Sequence, residues 1–176
     1  MLKDNIRPFR YLRQGPKRTL LILDQLKLPS QEVWIRCVNH KMVADCIRDM
    51  NVRGAPAIGC VAAYGVALSA HEKKFASVSA LAGYLEKVSK TLAATRPTAV
   101  NLFWALNRMM QKARTALGNN GKSSCSVNEI QSLLDREAQL IFDEDLKANH
   151  RMGELGAKLI PRNSVVLTHC NAGSLA

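Results

Sequence analysis

The chain has 176 residues, of which 47% are hydrophobic and 22% are charged, and its formal net charge is +11. This length and composition predict a soluble globular protein with one domain or a small pair of domains. The least charged run, residues 55–70, is shorter than the roughly 20 apolar residues that a bilayer span requires, so no membrane segment is expected. The basic residues are scattered singly and aromatic residues make up only 5%, so a basic surface around an anion pocket is favoured over nucleic-acid binding.

The cysteines and the N-terminus indicate a cytoplasmic protein without a metal. The cysteines are odd in number and widely spaced, with no Cys-x-x-Cys pair, so neither a disulfide framework nor a zinc site is predicted. We expect most of them to be small core residues. The N-terminus has no secretory hydrophobic region, and Asp4 together with the absence of serine before Ser30 argues against a transit peptide. The five cysteines are Cys37, Cys46, Cys60, Cys125 and Cys170.

The first forty residues are predicted to form a small antiparallel sheet. Short β-type runs alternate with turn residues, of which Gly15-Pro16 and Pro29-Ser30 are the clearest. The strands are predicted over Ile6–Leu12, Leu20–Asp24 and Glu32–Cys37.

From about Lys41 the spacing of apolar residues becomes helical. The second helix is rich in alanine and glycine and is expected to be the buried centre of the fold. The last helix opens with a capping box, in which Ser126 is followed three residues later by Glu129. A flexible surface loop is predicted over residues 118–124. The helices are predicted over 41–50, 55–71, 77–94, 98–117 and 126–159.

The end of the chain has the pattern of a second domain. Residues Ser164–His169 are predicted to form a strand, which leads into a glycine-containing turn, as at the opening of a Rossmann-like α/β domain. A lone strand of the parallel type has no neighbouring strand to pair with its backbone N–H and C=O groups. We therefore expect a longer polypeptide or a partner chain. The fold class is therefore an α+β N-terminal domain followed by the first strand of a Rossmann-like domain. We expect residues 1–40 to form the sheet, 41–160 the helical part, and 161–176 the start of the second domain, the remainder of which would be absent.

The segment from Arg53 to Gly59 has the features of an anion site. Pro56 suits the first turn of a helix, where its missing N–H and fixed φ cost nothing, so a helix is predicted to start near Ala55. The free amides of that turn point at a negative partner. Arg53 opposes the positive end of the helix dipole unless an anion lies between them, and phosphate or carboxylate is the expected ligand.

Arg96 repeats this pattern, because it precedes Pro97 at the head of another predicted helix. A single arginine is more often a surface cation or the partner of a carboxylate. Two arginines at helix starts, with no acidic residue between Arg53 and Glu72, favour an anion site. The apolar face of the second of these helices is predicted to contain Val100, Phe103, Trp104 and Met110.

Cys170 is the candidate for a reactive thiol. It follows the predicted strand and precedes an Asn-Ala-Gly turn, so its sulfur is expected at the amino end of a helix, where the dipole favours thiolate. The adjacent His169 would face the opposite way along the strand. A buried inert cysteine is the alternative. The histidines predicted to be surface or capping residues are His40, His71 and His150.

Three motifs, in this order, resemble the methylthioribose-1-phosphate isomerase family, which is related to the regulatory subunits of translation initiation factor 2B. The likeness extends over nearly the whole chain, which corresponds to the N-terminal half of such a protein. The motifs are Arg53-Gly54-Ala55-Pro56-Ala57-Ile58-Gly59, Arg96-Pro97-Thr98-Ala99-Val100-Asn101-Leu102 and Thr168-His169-Cys170-Asn171-Ala172-Gly173.

The resemblance implies an aldose–ketose isomerase of methionine salvage and amino-acid biosynthesis that uses no metal or organic cofactor. Its reaction would convert 5-methylthioribose 1-phosphate to 5-methylthioribulose 1-phosphate. Arg53, Gly54, Ala55 and Arg96 would bind this small sugar phosphate, and Cys170 would be the catalytic cysteine. The family's acid–base aspartate and further ligands would come from the second half of the chain, and a homodimer is implied.

Two alternatives from the same fold family stay open. A ribose-1,5-bisphosphate isomerase would also need phosphate-binding arginines and a cysteine, but Asn171-Ala172-Gly173 and Phe103-Trp104 look more like the methylthioribose enzyme. A regulatory subunit of translation initiation factor 2B would be a binding module with no need for a reactive thiol, and Cys170 argues against it.

Overall fold

The structure, a computed structural model, describes residues 7–117 and 125–176. In these ranges a three-stranded antiparallel sheet is followed by five α-helices, which confirms the predicted small sheet with helices. The strands are β1 (Phe9–Gln14), β2 (Lys17–Leu23) and β3 (Trp34–Cys37). The helices are α1 (His40–Arg48), α2 (Ala55–Ser69), α3 (Val78–Ala93), α4 (Val100–Leu117) and α5 (Val127–Gly156).

The sheet has the strand order β1-β2-β3. Gly15, with a φ of 58°, and Pro16 form the two-residue turn between β1 and β2, a position where the first central residue is commonly glycine. Because the turn is this short, β1 continues to Gln14 and β2 begins at Lys17, so both strands extend closer to the turn than predicted. Ile6, the predicted start of the first strand, lies outside the described residues.

Helix α2 is the centre of the fold, as its composition predicts. Every residue from Ala57 to Ser69 is buried, and the helix packs against α1, α3, α4, α5 and β2. Gly65 makes room for two of these neighbours, since a Cβ placed on it would lie 3.1 Å from Val43 of α1 and 3.3 Å from Leu92 of α3. None of the helices in the described ranges is both long and apolar enough to cross a membrane.

Helix α5 begins with the predicted capping box. The Ser126 hydroxyl accepts a hydrogen bond from the Glu129 N–H, and the Glu129 carboxylate accepts one from the Ser126 N–H. The first half of the helix packs on the core through residues such as Leu134 and Ile141, whereas the helix from Lys147 onward is almost entirely exposed. The predicted loop at 118–124 lies outside the described residues.

Helix α4 differs from its prediction in its start and in its buried face. The Ala99 N–H donates to the Arg96 carbonyl at 3.1 Å, and this turn places Pro97 before the helix rather than in its first turn. Val100, Phe103 and Trp104 are exposed, so the predicted apolar face was wrong except for Met110. The side that packs on the core has three- and four-residue spacing and contains Leu102, Ala105, Leu106, Met109, Met110 and Ala113.

The strand predicted over Ser164–His169 is not formed. Val165 and Leu167 are 99% and 95% exposed, and this segment pairs with none of the described strands. A strand of the parallel type needs a neighbouring strand for its hydrogen bonds, and the sheet β1-β2-β3 does not supply one. The helix expected after Cys170 is also absent from residues 171–176, because so few residues cannot offset the cost of helix nucleation.

Candidate functional site

The start of α2 is a helix terminus without a side-chain cap. Gly54 occupies the N-cap position with φ of 96° and ψ of 130°, a conformation that favours glycine. Pro56 lies in the first turn, as predicted, and this turn contains no acidic residue. The amides of Ala55 and Ala57 therefore have no intrahelical acceptor and can donate to an anion.

Arg53 and Arg96 precede α2 and α4, and their side chains have no partner in the part of the chain that the structure describes. Arg53 is exposed and Arg96 is half-buried. Neither guanidinium group forms a hydrogen bond or an ion pair with a residue in the described ranges. Both guanidinium groups are therefore available to an external anion.

The starts of α2 and α4 lie side by side. Gly59, in the second turn of α2, faces α4 so closely that a Cβ placed on it would lie 2.9 Å from the Asn101 carbonyl oxygen. Asn101 is in the first turn of α4. The two helix N-termini are thus at the same end of the helix pair, and the segments with Arg53 and Arg96 lead into that end.

The chain after Cys170 reaches the same region. A Cβ placed on Gly54 would collide with the backbone of Ala176, and Gln25 Nε2 donates to the Leu175 carbonyl at 2.9 Å. Cys170 itself is exposed and has a φ of 68°, which is uncommon for a residue other than glycine. The last residues of the chain, which follow the third motif, thus contact the start of α2.

Two cavities adjoin the start of α2. One, of about 420 Å³, lies between α2, α4 and α5, and the other, of about 470 Å³, lies between α2, α5 and the last residues of the chain. Asp145 and Cys60 line both cavities. Arg53, Arg96 and Cys170 line neither, so direct contact of these side chains with a ligand stays a prediction.

Asp145 is an acidic group that the sequence analysis missed. Partial burial raises the pKa of its carboxyl above the ordinary value, although a hydrogen bond involving Asn149 opposes this shift. The sequence holds a signal, because Asp145 follows the buried Ile141 by one helical turn and so lies on the same side of α5. Burial also raises the pKa of Cys60 to about 12, which keeps that thiol protonated.

The loop after β2 holds the segment that leads into α2. Asp24 Oδ1 accepts hydrogen bonds from Asn51 Nδ2 at 2.8 Å and from the Leu26 N–H at 3.1 Å. The Gln25 N–H donates to the Asn51 carbonyl at 2.9 Å. Asp24 and Gln25 are buried, so this network fixes the backbone just before Arg53.

Two histidines that were predicted to be surface or capping residues are buried instead. His40 Nδ1 lies 2.9 Å from Glu72 Oε1, and the Tyr84 hydroxyl donates to the same carboxylate. His71 Nε2 lies 3.3 Å from Asp135 Oδ1. These partners come from other elements, so spacing along the sequence could not reveal them.

The cysteines do not form a metal site with other side chains in the described ranges. There, no three His, Cys, Asp or Glu side chains are grouped so that they could hold a metal ion. As expected, most cysteines are buried: Cys37, Cys46 and Cys60 belong to the core, Cys125 is half-buried and Cys170 is exposed.

Residues 51–176 match the initiation factor 2 subunit family. This range contains Cys170 and the two arginine motifs, which are the segments that begin at Arg53 and at Arg96. The chain belongs to this family. A methylthioribose-1-phosphate isomerase from Syntrophotalea carbinolica is 47% identical over 172 residues, which are 98% of this chain and 47% of that protein.

Two solved structures also resemble this member of the initiation factor 2 subunit family. The translation initiation factor eIF-2B subunit delta from A. fulgidus matches with a TM-score of 0.81 and 42% identity over 97% of this chain and 46% of that one. The 5-methylthioribose 1-phosphate isomerase from Pyrococcus horikoshii OT3 matches with a TM-score of 0.81 and 36% identity over 99% of this chain and 48% of that one. The chain thus spans about half the length of these proteins.

Proposed function

We propose that the complete protein is a methylthioribose-1-phosphate isomerase. The observation that carries this proposal is the pair of adjacent helix starts, each preceded by an arginine whose side chain has no partner among the described residues. Relatives named for this activity are 42% to 49% identical to the chain, which supports the same substrate at these helix starts.

The substrate's chemistry explains why an anion site and a thiol are needed together. The phosphate on the anomeric oxygen blocks simple opening of the sugar to an aldehyde, so the enzyme must assist ring opening before hydrogen moves between adjacent carbons. Arg53, Arg96 and the amides at Gly54 and Ala55 hold the phosphate. Cys170 lies beside the reacting carbons in this proposal and takes part in the hydrogen transfer.

We also infer that further polypeptide completes the site. The apolar side chains of Leu159, Val165 and Leu167 are 84%, 99% and 95% exposed, a pattern that fits a surface covered by another domain. Ser164–His169 would then join a parallel sheet, with Cys170 at the carboxyl end of the strand. Residues 161–176 would begin this Rossmann-like domain. The complete enzyme would be a cytoplasmic homodimer with its active site in the cleft between the domains.

The role of Cys170 is tested by replacing it in the complete enzyme. Cys170→Ala should abolish turnover of 5-methylthioribose 1-phosphate and leave affinity for the sugar phosphate largely intact, because the thiol acts in the reaction rather than in binding. Cys60→Ala is the matched control and should keep turnover, since that buried thiol stays protonated. Turnover by Cys170→Ala would remove Cys170 from the mechanism.

The phosphate contact is tested by equilibrium binding. Arg96→Ala should weaken sugar-phosphate binding by about 1.5–3 kcal/mol, the value of a charge-assisted hydrogen bond. Arg36→Ala removes another exposed arginine, on β3, and should leave affinity unchanged. If Arg96→Ala binds the sugar phosphate as tightly as the wild-type protein, the assignment of the phosphate to Arg96 is wrong.

The second candidate function is a regulatory subunit of translation initiation factor 2B, which the similarity to subunit delta favours. Turnover assays of the complete protein with 5-methylthioribose 1-phosphate and with ribose 1,5-bisphosphate separate the candidates. Preference for the first substrate supports the proposed enzyme, and preference for the second indicates the bisphosphate isomerase. Turnover of neither indicates a binding module.

A further inference from the structure

A basic cavity lies at the opposite end of α2 from the two arginine motifs. The cavity measures about 650 Å³, is open to solvent on one side, and is lined by the β1–β2 hairpin, the loop between α2 and α3, and the start of α5. Helix α2 rises about 1.5 Å per residue, so its two ends are roughly 20 Å apart. No Asp or Glu in the described ranges lines the cavity, and its cationic or titratable lining residues are Arg18, His71, Lys73 and Lys74.

The lysine charges of this cavity are not neutralised by the described part of the protein. Lys73 Nζ lies 4.0 Å from the centre of the Tyr84 ring, Lys74 is exposed, and neither forms an ion pair there. Glu72 precedes them in the sequence, but its carboxylate is bound to His40 and to the Tyr84 hydroxyl. Both ammonium groups can therefore interact with an external anion.

The buried carboxylate of Asp135, next to the cavity, already accepts hydrogen bonds from other side chains of the protein. Asp135 Oδ1 accepts a hydrogen bond from the Tyr11 hydroxyl at 2.7 Å, and Oδ2 accepts one from Arg18 Nε at 2.9 Å. The His71 side chain is only 9% exposed, and its Nε2, although 3.3 Å from Asp135 Oδ1, has no hydrogen-bond partner in the described ranges. A buried polar atom without a partner is rare in folded proteins and is commonly explained by a missing water or ion.

The start of α5 adds neutral donors to the same cavity. Val127 and Asn128 line it from the first helical turn. The capping box uses the N–H groups of Ser126 and Glu129, so those of Val127 and Asn128 have no intrahelical acceptor. Glu129 is the acidic residue of this turn, but its carboxylate is bound to Ser126. The helix terminus therefore supports binding of an anion.

We propose that this cavity binds the phosphate group of a small organic phosphate. Lys73 and Lys74 supply the positive charge, and the first turn of α5 supplies amides. Arg18, which is paired with Asp135, and the buried His71 form the cavity wall. A volume of about 650 Å³ is larger than a phosphate needs and leaves room for an attached sugar or ring, against which Phe75 offers an apolar surface. This site does not depend on the isomerase proposal.

Titration calorimetry with ribose 5-phosphate and with inorganic phosphate tests the proposal. The measurement uses Arg96→Ala protein, so that binding at the helix starts contributes little. In that background, Lys74→Glu should weaken binding at least about tenfold, the scale of one lost charge-assisted contact. Lys87→Glu makes the same charge change on an exposed residue of α3 outside the cavity and should leave the affinity unchanged.

Three results would overturn the proposal. Equal weakening by Lys74→Glu and Lys87→Glu would show a general charge effect. Loss of all phosphate binding in the Arg96→Ala background would assign binding to the helix starts alone. Tighter binding of an RNA oligomer, with log K falling linearly with log salt, would indicate a nucleic-acid surface.

Tighter binding of ribose 5-phosphate than of inorganic phosphate would support contacts beyond the phosphate, whereas equal affinities would support contacts to the phosphate group.

Discussion

At the scale of single residues, Asp135 links the helices to the sheet. Its carboxylate on α5 accepts hydrogen bonds from Tyr11 of β1 and Arg18 of β2 and is almost completely buried. Removing one partner of a buried ion pair leaves the other charge uncompensated, at a cost of about 3–5 kcal/mol. Asp135 is therefore a residue on which the docking of α5 against the hairpin depends.

Asp135 should also make stability depend on pH in the acid range. Burial raises the pKa of its carboxyl, but the neighbouring His71 and the hydrogen bonds from Tyr11 and Arg18 more than offset this and hold the pKa below its usual value. The folded protein then binds this proton less readily than the unfolded chain, so the stabilisation is present above about pH 4 and is lost as the pH falls through the folded-state pKa.

Denaturant unfolding from neutral pH into the acid range checks this prediction. Asp135→Asn should lower the free energy of unfolding at neutral pH by about 3 kcal/mol and should show a shallower loss of stability below about pH 4 than the wild-type protein. Identical acid slopes for the two proteins would show that Asp135 does not have a lowered pKa in the folded state.

Asp24 is expected to act as a positioning residue for the anion site. Asp24→Ala removes the acceptor of Asn51 Nδ2 and of the Leu26 N–H, and should cost about 1–3 kcal/mol of unfolding free energy. In the complete enzyme it should also weaken sugar-phosphate binding, because Asn51 leads directly to Arg53. Asp24→Asn keeps an acceptor oxygen and should recover most of the affinity. Equal affinities for Asp24→Ala and the wild-type protein would confine Asp24 to a structural role.

At the scale of elements, the helices follow their sequence patterns but their contacts depend on small residues. All five described helices were predicted to within a few residues, because capping, turn residues and apolar spacing act over short distances. The exposed side of α4 was predicted wrongly, since apolar residues occur on two of its sides and spacing alone cannot say which side packs. Its correct side is set by contact with α2.

Replacing Gly59 tests the contact between α2 and α4. Gly59→Ala would place a Cβ 2.9 Å from the Asn101 carbonyl, so α2 and α4 must move apart, which should cost about 1–3 kcal/mol of unfolding free energy. Gly83→Ala is the control, because a Cβ on this exposed glycine of α3 meets none of the described residues within 4 Å and should stabilise the helix by up to about 1 kcal/mol. Thermal unfolding that moves in the same direction for both variants would contradict the close approach.

At the scale of the whole molecule, the described residues form a packed part and an exposed part. The sheet and the helices through the middle of α5 share one hydrophobic core. The end of α5 and the segment that follows it lie outside this core and expose large apolar side chains. Such a surface is typical of a contact with another domain or chain.

Hydrogen exchange on the protein isolated from its native source tests this expectation. If Ser164–His169 joins a sheet of a second domain, its amides should exchange slowly, because they donate to a neighbouring strand. The intact mass should then exceed 19.4 kDa for the polypeptide, or a partner chain should accompany it. Fast exchange over 164–169 in that protein would exclude the predicted strand.

The sequence by itself determined the local structure and the chemical types at the candidate site. Gly15-Pro16 specified the hairpin turn, Ser126 and Glu129 specified the start of α5, and Pro56 specified the first turn of α2, because these effects involve neighbours along the chain. Only the tertiary structure decided that the starts of α2 and α4 are adjacent, and that Asp145 lines cavities beside them. The reason is physical: burial and proximity depend on which surfaces of distant elements meet, and no local spacing specifies that choice.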